Sequence, residues 1–166
     1  MEEHQTNFRY ERKYIVTQNR LPKLLFELYS NNFFKMFPER KINNLIQIGA
    51  NDGQRFDILN FYIKKYQTKS LLVEPIKENF EKLKQNYQDC NFVSFDNSAI
   101  SVGDEISYLY KVKNQYIKNY SDHIPGITSF DKNHLIKHGV KNNHIVRESV
   151  NSISVKDLIS KNNLNS

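Results

Sequence analysis

Two short apolar segments, each followed by a polar turn, constrain the fold of this 166-residue chain more than any other feature. Residues 45–53 read LIQIGANDG, and residues 71–75 read LLVEP. A buried strand that leads through a glycine-containing turn into a helix, and then a second strand that ends in an acidic residue, is typical of a nucleotide-binding βαβ unit. Glu74 lies 21 residues after Gly53, close to the spacing at which a carboxylate reaches a ribose hydroxyl.

The glycines of this turn indicate which kind of ligand it accepts. Gly49 and Gly53 allow the backbone to approach a ligand closely. A dinucleotide fingerprint reads G-x-G-x-x-G, whereas this turn reads G-x-x-x-G, with Asn51 where a pyrophosphate would lie and Asp52 beside it. Because a carboxylate repels phosphate oxygens, the pattern disfavours a dinucleotide-dependent oxidoreductase. It favours a ligand with cationic and hydroxyl-bearing parts, and S-adenosylmethionine has both.

The spacing of apolar residues predicts that strands and helices alternate along the middle of the chain. Three strands are expected at 42–48, 70–73 and 91–95, and two helices at 54–66 and 77–88. Asn51 or Asp52 is expected to cap the first of these helices. This order predicts an α/β fold with a parallel sheet and right-handed crossovers.

The remaining sequence predicts smaller elements. A strand at an edge or in an antiparallel pair is expected at 106–112, a loop at 113–126 and a strand at 145–153. Short helices are expected at 131–138, capped by Asp131, and at 154–160, capped by Ser154.

Five stretches in this order make the chain similar to the FkbM family of S-adenosylmethionine-dependent methyltransferases. They are IGANDG (48–53), VEPIKENFEKL (73–83), NFVSFDNSAIS (91–101), ITSFDKNHLIKHG (127–139) and VNSISVKDLI (150–159). The resemblance extends from about Ile42 to about Ser160. It implies a Rossmann-like class I methyltransferase fold and methyl transfer, usually to a hydroxyl oxygen, here on a glycan or a small metabolite.

The candidate cofactor-binding residues lie where three predicted strands end. Glu74 is expected to accept hydrogen bonds from the ribose hydroxyls, since a carboxylate takes two donors at once. Asp52 is expected to face the methionine part of the cofactor or to cap the helix. The position that reads the adenine ring in class I methyltransferases corresponds to the residues after the third strand. The full set is Gly49, Ala50, Asn51, Asp52, Gly53, Glu74, Asp96, Asn97 and Ala99.

No catalytic base or metal site is predicted. His134 and His138 share a helix face, but Glu does not follow His134 and a third ligand is not evident, so the zinc-protease pattern is not met. If the chain does transfer methyl groups, His134 or Asp96 is the best candidate for the base.

The end of the chain departs from the family pattern. In FkbM-like proteins the helix similar to VKDLI (155–159) is followed by a strand that ends in an Asp-x-Glu-Gly-like motif, and this chain ends at Ser166 before such a strand. We therefore expect residues 41–166 to form an incomplete methyltransferase domain with strand order 3-2-1. A partner, a second copy or another element would cover the edge of the first strand. An inactive S-adenosylmethionine-binding half-domain is the alternative function.

Residues 1–40 are expected to form an N-terminal helical extension, with a helix at 21–37. Within and just after it, RYERKYIV (9–16) and PERKINNL (38–45) resemble the start of a VTC-type polyphosphate polymerase domain. A polyphosphate-binding remnant is therefore a further alternative function.

Composition excludes several classes of protein. The net charge of +6 is spread along the chain, which indicates a solvated surface rather than a nucleic-acid site. Cys90 is the single cysteine, which excludes a disulfide framework and fits a reducing cytoplasm. No apolar stretch has the length of about 18 residues that a membrane span requires.

Overall fold

The computed structural model describes residues 42–54, 57–101, 106–121 and 124–163. The predicted N-terminal extension, its helix at 21–37 and most of the similarity to polyphosphate polymerase domains lie outside the described residues.

A parallel sheet of three strands forms the first half of the described chain. Its strands are β1 (Asn44–Ile48), β2 (Lys69–Val73) and β3 (Val93–Asp96), in the order β1-β2-β3. The connections are α1 (Ile58–Tyr66) and α2 (Lys77–Asn86). The predicted α/β class and the predicted order of these strands are confirmed, and β1 is paired on one side only within the described part.

Side chains cover both faces of this sheet, which explains why β2 reads as a continuous apolar run. Leu72 faces a cluster that α1 and α2 complete with Leu59 and Leu83. Leu71 and Val73 face a second cluster on the opposite side. The carboxyl ends of all three strands therefore lie at one edge of a layer that is buried above and below.

A second sheet follows in the chain. It contains β4 (Ala99–Ile100), β5 (Ile106–Val112) and β6 (Ile145–Ile153), in the order β4-β6-β5. β5 was expected at an edge or in an antiparallel pair, and it lies at the edge of this sheet and runs antiparallel to β6, whereas β4 runs parallel to β6. The remaining helices are α3 (Lys132–Lys137) and α4 (Val155–Lys161). No helix of the described residues is long and apolar enough to cross a membrane.

The prediction that Asn51 or Asp52 caps α1 is wrong. The helix begins at Ile58, and the side chain of Asp57 accepts a hydrogen bond from the backbone N–H of Leu59. Asp52 instead accepts a hydrogen bond from the backbone N–H of Gln54. An extra turn therefore separates the glycine-containing segment from the helix.

The described residues of the predicted loop 113–126 contain two short 3-10 helices, Asn114–Asn119 and Ile124–Gly126. Ile124 and Ile127 are buried in a cluster with apolar residues of β5, α3 and β6. The predicted caps of α3 and α4 are confirmed. The side chain of Asp131 accepts a hydrogen bond from a backbone N–H in the first turn of α3, and the side chain of Ser154 accepts one from a backbone N–H in the first turn of α4.

Candidate cofactor site

The turn after β1 is held against the end of β2. The backbone N–H groups of Gly49 and Ala50 both donate to the carbonyl of Val73, at 2.9 and 3.0 Å. Gly49 and Asn51 have left-handed backbones, with φ of 73° and 54°. Asn adopts this conformation more readily than most residues that carry a side chain, and the surrounding hydrogen bonds hold it here.

Glu74 supplies one of those hydrogen bonds. Its side chain is buried, with 4% of the residue exposed. One carboxylate oxygen accepts from the backbone N–H of Asn51 at 2.8 Å, and the other from the backbone N–H of Ile76 at 3.0 Å. Burial raises the pKa of Glu74 to about 7, although hydrogen bonds from Ile76, Asn51 and Asn79 oppose the increase. The carboxylate therefore links the turn after β1 to the segment after β2.

Asp96, at the end of β3, is tied to the last helix. One of its oxygens accepts from the hydroxyl of Ser98 at 2.7 Å, and the other forms an ion pair of 2.8 Å with Lys161. Asn162 adds a longer hydrogen bond of 3.4 Å. Burial raises the pKa of Asp96, but the contacts with Lys161, Ser98 and Asn162 outweigh burial and hold this pKa below its ordinary value.

Asn97 joins the ends of β2 and β3. Its side-chain amide donates to the carbonyls of Glu74 and Pro75, at 2.7 and 3.1 Å. The backbone N–H of Glu74 also donates to the carbonyl of Asp96 at 3.0 Å. Direct hydrogen bonds thus connect Asn51, Glu74, Asp96 and Asn97, all of which the sequence placed in one site.

Ala99, which was expected to lie beside the adenine ring, has a different setting from Asp96 and Asn97. It forms part of β4, opposite Ser152 of β6. Its side chain is buried in a cluster with Ile76, Leu109 and Val150. Pairing with β6 places this residue in the core. The sequence did not predict the pairing because the partner strand lies far away in the chain, and local patterns carry no signal of such a contact.

Gly53 is required by packing against α2. A Cβ atom at this position would lie 2.5 Å from Cδ1 of Leu83 and 2.7 Å from Cε2 of Tyr87, and the φ of Gly53 is +71°. Its missing side chain therefore makes room for α2. Asp52, beside it, accepts a hydrogen bond of 2.7 Å on its carbonyl from the side chain of Asn86, again on α2.

Two features near the site were not predicted from the sequence. Gln47 is fully buried in β1, and its amide donates to Asp57 at 3.1 Å, while its carbonyl oxygen has no hydrogen-bond partner among the described residues. A glutamine within the apolar run LIQI was the available signal. In addition, a Cβ atom at Gly126 would lie 3.3 Å from Nδ2 of Asn51, so the 3-10 helix Ile124–Gly126 lies against the turn.

His134 of α3 and His138, the C-cap of that helix, contact each other. The ring centroids of His134 and His138 are 4.7 Å apart. In the described part of the chain, no group of three or more His, Cys, Asp or Glu side chains is arranged to hold a metal ion.

Comparisons with protein-family models, with curated proteins and with solved structures find no match to this chain. Its function must therefore be argued from the fold and the site. These define an α/β protein with polar groups gathered at the carboxyl ends of three parallel strands, which is where open α/β sheets bind ligands.

Proposed function

We propose that this chain binds S-adenosylmethionine at residues 49–53 and Glu74, and that it is a methyltransferase of FkbM type acting on a hydroxyl of a glycan or a small metabolite. The observation that carries the proposal is the position of Glu74. Its buried carboxylate lies at the end of β2 and contacts Asn51 in the left-handed turn after β1. A strand-end carboxylate beside such a turn suits a ligand that carries a ribose.

The hydrogen-bonding capacity of the site fits this cofactor in part. The carboxylate of Glu74 accepts the backbone N–H groups of Asn51 and Ile76 and a hydrogen bond from the side chain of Asn79. Because a carboxylate has about four acceptor positions, about one of them is left for a ribose hydroxyl. Asp96 is less available, because Lys161, Ser98 and Asn162 already occupy its oxygens. The adenine amine would therefore share Asp96 with these groups or bind to backbone atoms beside Asn97.

The residues of this chain would orient the reactants. The bound cofactor supplies an electrophilic methyl group, so the protein contributes position and a polar environment. An acceptor hydroxyl must also lose its proton to a base. The ion pair with Lys161 lowers the basicity of Asp96, which leaves His134 on α3 as the other candidate base from the sequence.

The ion pair and the lowered pKa of Asp96 favour a second candidate function, a domain that binds S-adenosylmethionine without transferring its methyl group. Among the described residues, the carboxylate of Asp96 at the end of β3 forms an ion pair with Lys161 of α4, and its pKa is below the ordinary value. A carboxylate in this state suits a structural role better than the role of a general base.

Calorimetry with the full chain tests cofactor binding. S-adenosylhomocysteine is expected to bind, and NAD and tripolyphosphate are expected to bind more weakly or not at all. Tighter binding of NAD would remove the proposal. Affinity for tripolyphosphate that decreases with salt would instead support the polyphosphate-binding alternative.

Transfer of a labelled methyl group then separates an enzyme from a binding domain. The full chain is incubated with labelled cofactor and a panel of glycan and small hydroxyl acceptors. Turnover that His134→Ala abolishes and Asp96→Asn retains would identify His134 as the base. Binding without turnover on any acceptor would support the second candidate.

A further inference from the structure

The carboxylate of Glu74 is covered in this structure, so a ligand must gain access to it. Only 4% of Glu74 is exposed. The 3-10 helix Ile124–Gly126 lies against Asn51, the residue whose backbone N–H binds this carboxylate. The helix therefore packs against the turn whose backbone holds the carboxylate.

Three side chains form an aromatic clasp beside this helix: Tyr116, Tyr120 and His144. The rings of Tyr116 and His144 are stacked, with centroids 3.8 Å apart and planes inclined by 11°. The hydroxyl of Tyr120 lies 2.7 Å from Nδ1 of His144. His144 is buried, so its ring atoms depend on these partners.

A third contact sets the direction of the hydrogen bond within the clasp. The backbone N–H of Lys141 donates to the hydroxyl oxygen of Tyr120 at 3.0 Å. The arrangement that satisfies every donor then directs the hydroxyl hydrogen of Tyr120 toward Nδ1 of His144, which acts as the acceptor. Tyr120 is thereby fixed from two sides, by the segment before β6 and by the imidazole ring.

Tyr120 is connected to the helix Ile124–Gly126 through a short chain of backbone hydrogen bonds. The residue after it, Ser121, accepts on its carbonyl from the N–H of Ile124, and Ile124 accepts from Ile127, both at 2.9 Å. Ile124 and Ile127 are buried in the cluster against which Tyr116 and Tyr120 pack. Displacement of Tyr120 therefore releases the helix at its anchored end.

We propose that Tyr120 and His144 are positioning residues that hold the helix Ile124–Gly126 against Asn51 of the turn 49–53 and so control entry to Glu74. The identity of the entering ligand rests on the proposed function, whereas the hold on the helix does not. Hydrogen exchange of the ligand-free full chain therefore tests this hold by itself.

The variants separate the two contacts of His144. His144→Phe keeps a flat ring for stacking on Tyr116 and removes the acceptor. His144→Asn removes the ring and keeps an oxygen acceptor near the position of Nδ1. Tyr120→Phe removes the hydroxyl and keeps its ring. Val140→Ala, in the same apolar cluster but outside the clasp, is the control for general loosening.

Exchange is measured by mass spectrometry on peptides that cover 114–127 and 49–53. His144→Phe is expected to speed exchange in both peptides by roughly twofold to tenfold, the range for loss of one hydrogen bond. Tyr120→Phe loses the hydrogen bonds to both His144 and Lys141 and is expected to speed exchange at least as much. His144→Asn is expected to restore slow exchange relative to His144→Phe. Val140→Ala is expected to affect 114–127 without an equal effect on 49–53.

Three results would overturn the proposal. The first is that exchange in the turn 49–53 does not change in His144→Phe and Tyr120→Phe. The second is that His144→Asn and His144→Phe exchange at the same rate. The third is that Val140→Ala changes exchange in both peptides equally. Stopped-flow binding of S-adenosylhomocysteine is expected to be faster in Tyr120→Phe than in wild type, and an unchanged rate would refute control of entry. If wild type does not bind this ligand, the proposed function fails while exchange still decides whether the helix is held against the turn.

Discussion

The carboxylate of Glu74 accepts a 2.8 Å hydrogen bond from the backbone N–H of Asn51 and thereby fixes the turn that follows the neighbouring strand. Its other oxygen fixes the backbone at Ile76. Glu74 therefore shapes the site before any ligand arrives, and a ribose would share a carboxylate that already has three donors, the third being the side chain of Asn79. A substitution at this position acts on both binding and folding, so the two effects must be measured separately.

Glu74→Ala is expected to weaken binding of S-adenosylhomocysteine by about 1.5–3 kcal/mol, the scale of a hydrogen bond to a charged group. Calorimetry under conditions in which both proteins are folded measures the difference. Glu81→Ala removes an exposed carboxylate on α2 and is expected to leave affinity unchanged. Equal affinities of Glu74→Ala and wild type would show that Glu74 does not bind the ribose.

The raised pKa of Glu74 predicts that its contribution to stability decreases as pH increases. The folded-state pKa is about 7 and the ordinary value is 4.5, so the folded chain binds the proton more tightly. The contribution is fully present below about pH 4.5 and is lost as the pH rises through about 7, with a total of about 3 kcal/mol.

Denaturant unfolding of wild type and Glu74→Gln at a series of pH values checks this prediction. The glutamine does not titrate, so the difference between the two free energies of unfolding isolates the carboxyl group. Relative to Glu74→Gln, wild type is expected to lose stability from about pH 5 to about pH 8. A difference that does not change with pH, or that changes in the opposite direction, would contradict the assignment.

The ion pair between Asp96 and Lys161 predicts a contribution to stability that decreases as pH falls, which is opposite to the behaviour expected of Glu74. The pKa of Asp96 is lowered in the folded chain, so its contribution is present above about pH 4 and is lost as the pH falls through the folded-state pKa. Lys161→Met is expected to move acid unfolding to higher pH. Because Lys161 is 60% exposed, solvent screening limits the loss to about 1 kcal/mol or less at neutral pH.

Circular dichroism during acid titration measures this shift. Lys156→Met removes an exposed cation from the same helix and is the matched control. If both variants unfold at the same pH, the pair with Asp96 does not contribute to stability.

Much of the backbone could be predicted because its signals are local. The strand 145–153 was predicted with the bounds that are observed, and Asp131 and Ser154 cap the helices they were expected to cap. The apolar runs also predicted the parallel order of the first three strands. These features depend on side-chain periodicity and on residues within one turn of a helix end.

The missed features depend on contacts between distant residues. Ala99 pairs with Ser152, and Gly53 is packed against α2, and neither relationship leaves a mark in the local pattern. Glu74 was placed correctly at a strand end, but its contact with Asn51 depends on the backbone conformation of the turn. His144 was not singled out because a lone histidine before a strand carries no information about what its ring touches.

The cap of α1 predicts an unequal effect of two similar substitutions. Asp57→Ala removes the N-cap of α1 and also the contact with the buried amide of Gln47, so we expect a loss of about 2–4 kcal/mol in the free energy of unfolding. Asp131→Ala removes an exposed N-cap of α3, for which about 1 kcal/mol is expected. Denaturant unfolding of both variants measures the difference. Equal losses would show that the contact with Gln47 contributes nothing.

Two glycines with similar backbones separate strain from packing. Gly53 and Gly139 have φ of +71° and +82°, so an alanine is strained at either position, at a cost of about 1–2 kcal/mol. At Gly139 nothing lies within 4 Å of the added Cβ, and strain is the whole expected effect. At Gly53 the Cβ would overlap Leu83 and Tyr87, which adds about 1–3 kcal/mol of overpacking.

Thermal and denaturant unfolding of Gly53→Ala and Gly139→Ala measure these costs. We expect Gly53→Ala to be the less stable variant by the overpacking cost. The double variant Gly53→Ala with Leu83→Ala tests the cause, because shortening Leu83 removes the closest clash. That second change is expected to cost less in Gly53→Ala than in wild type. If Leu83→Ala costs the same in both backgrounds, the glycine is not required by packing on α2, and its place in the turn must be explained by a ligand.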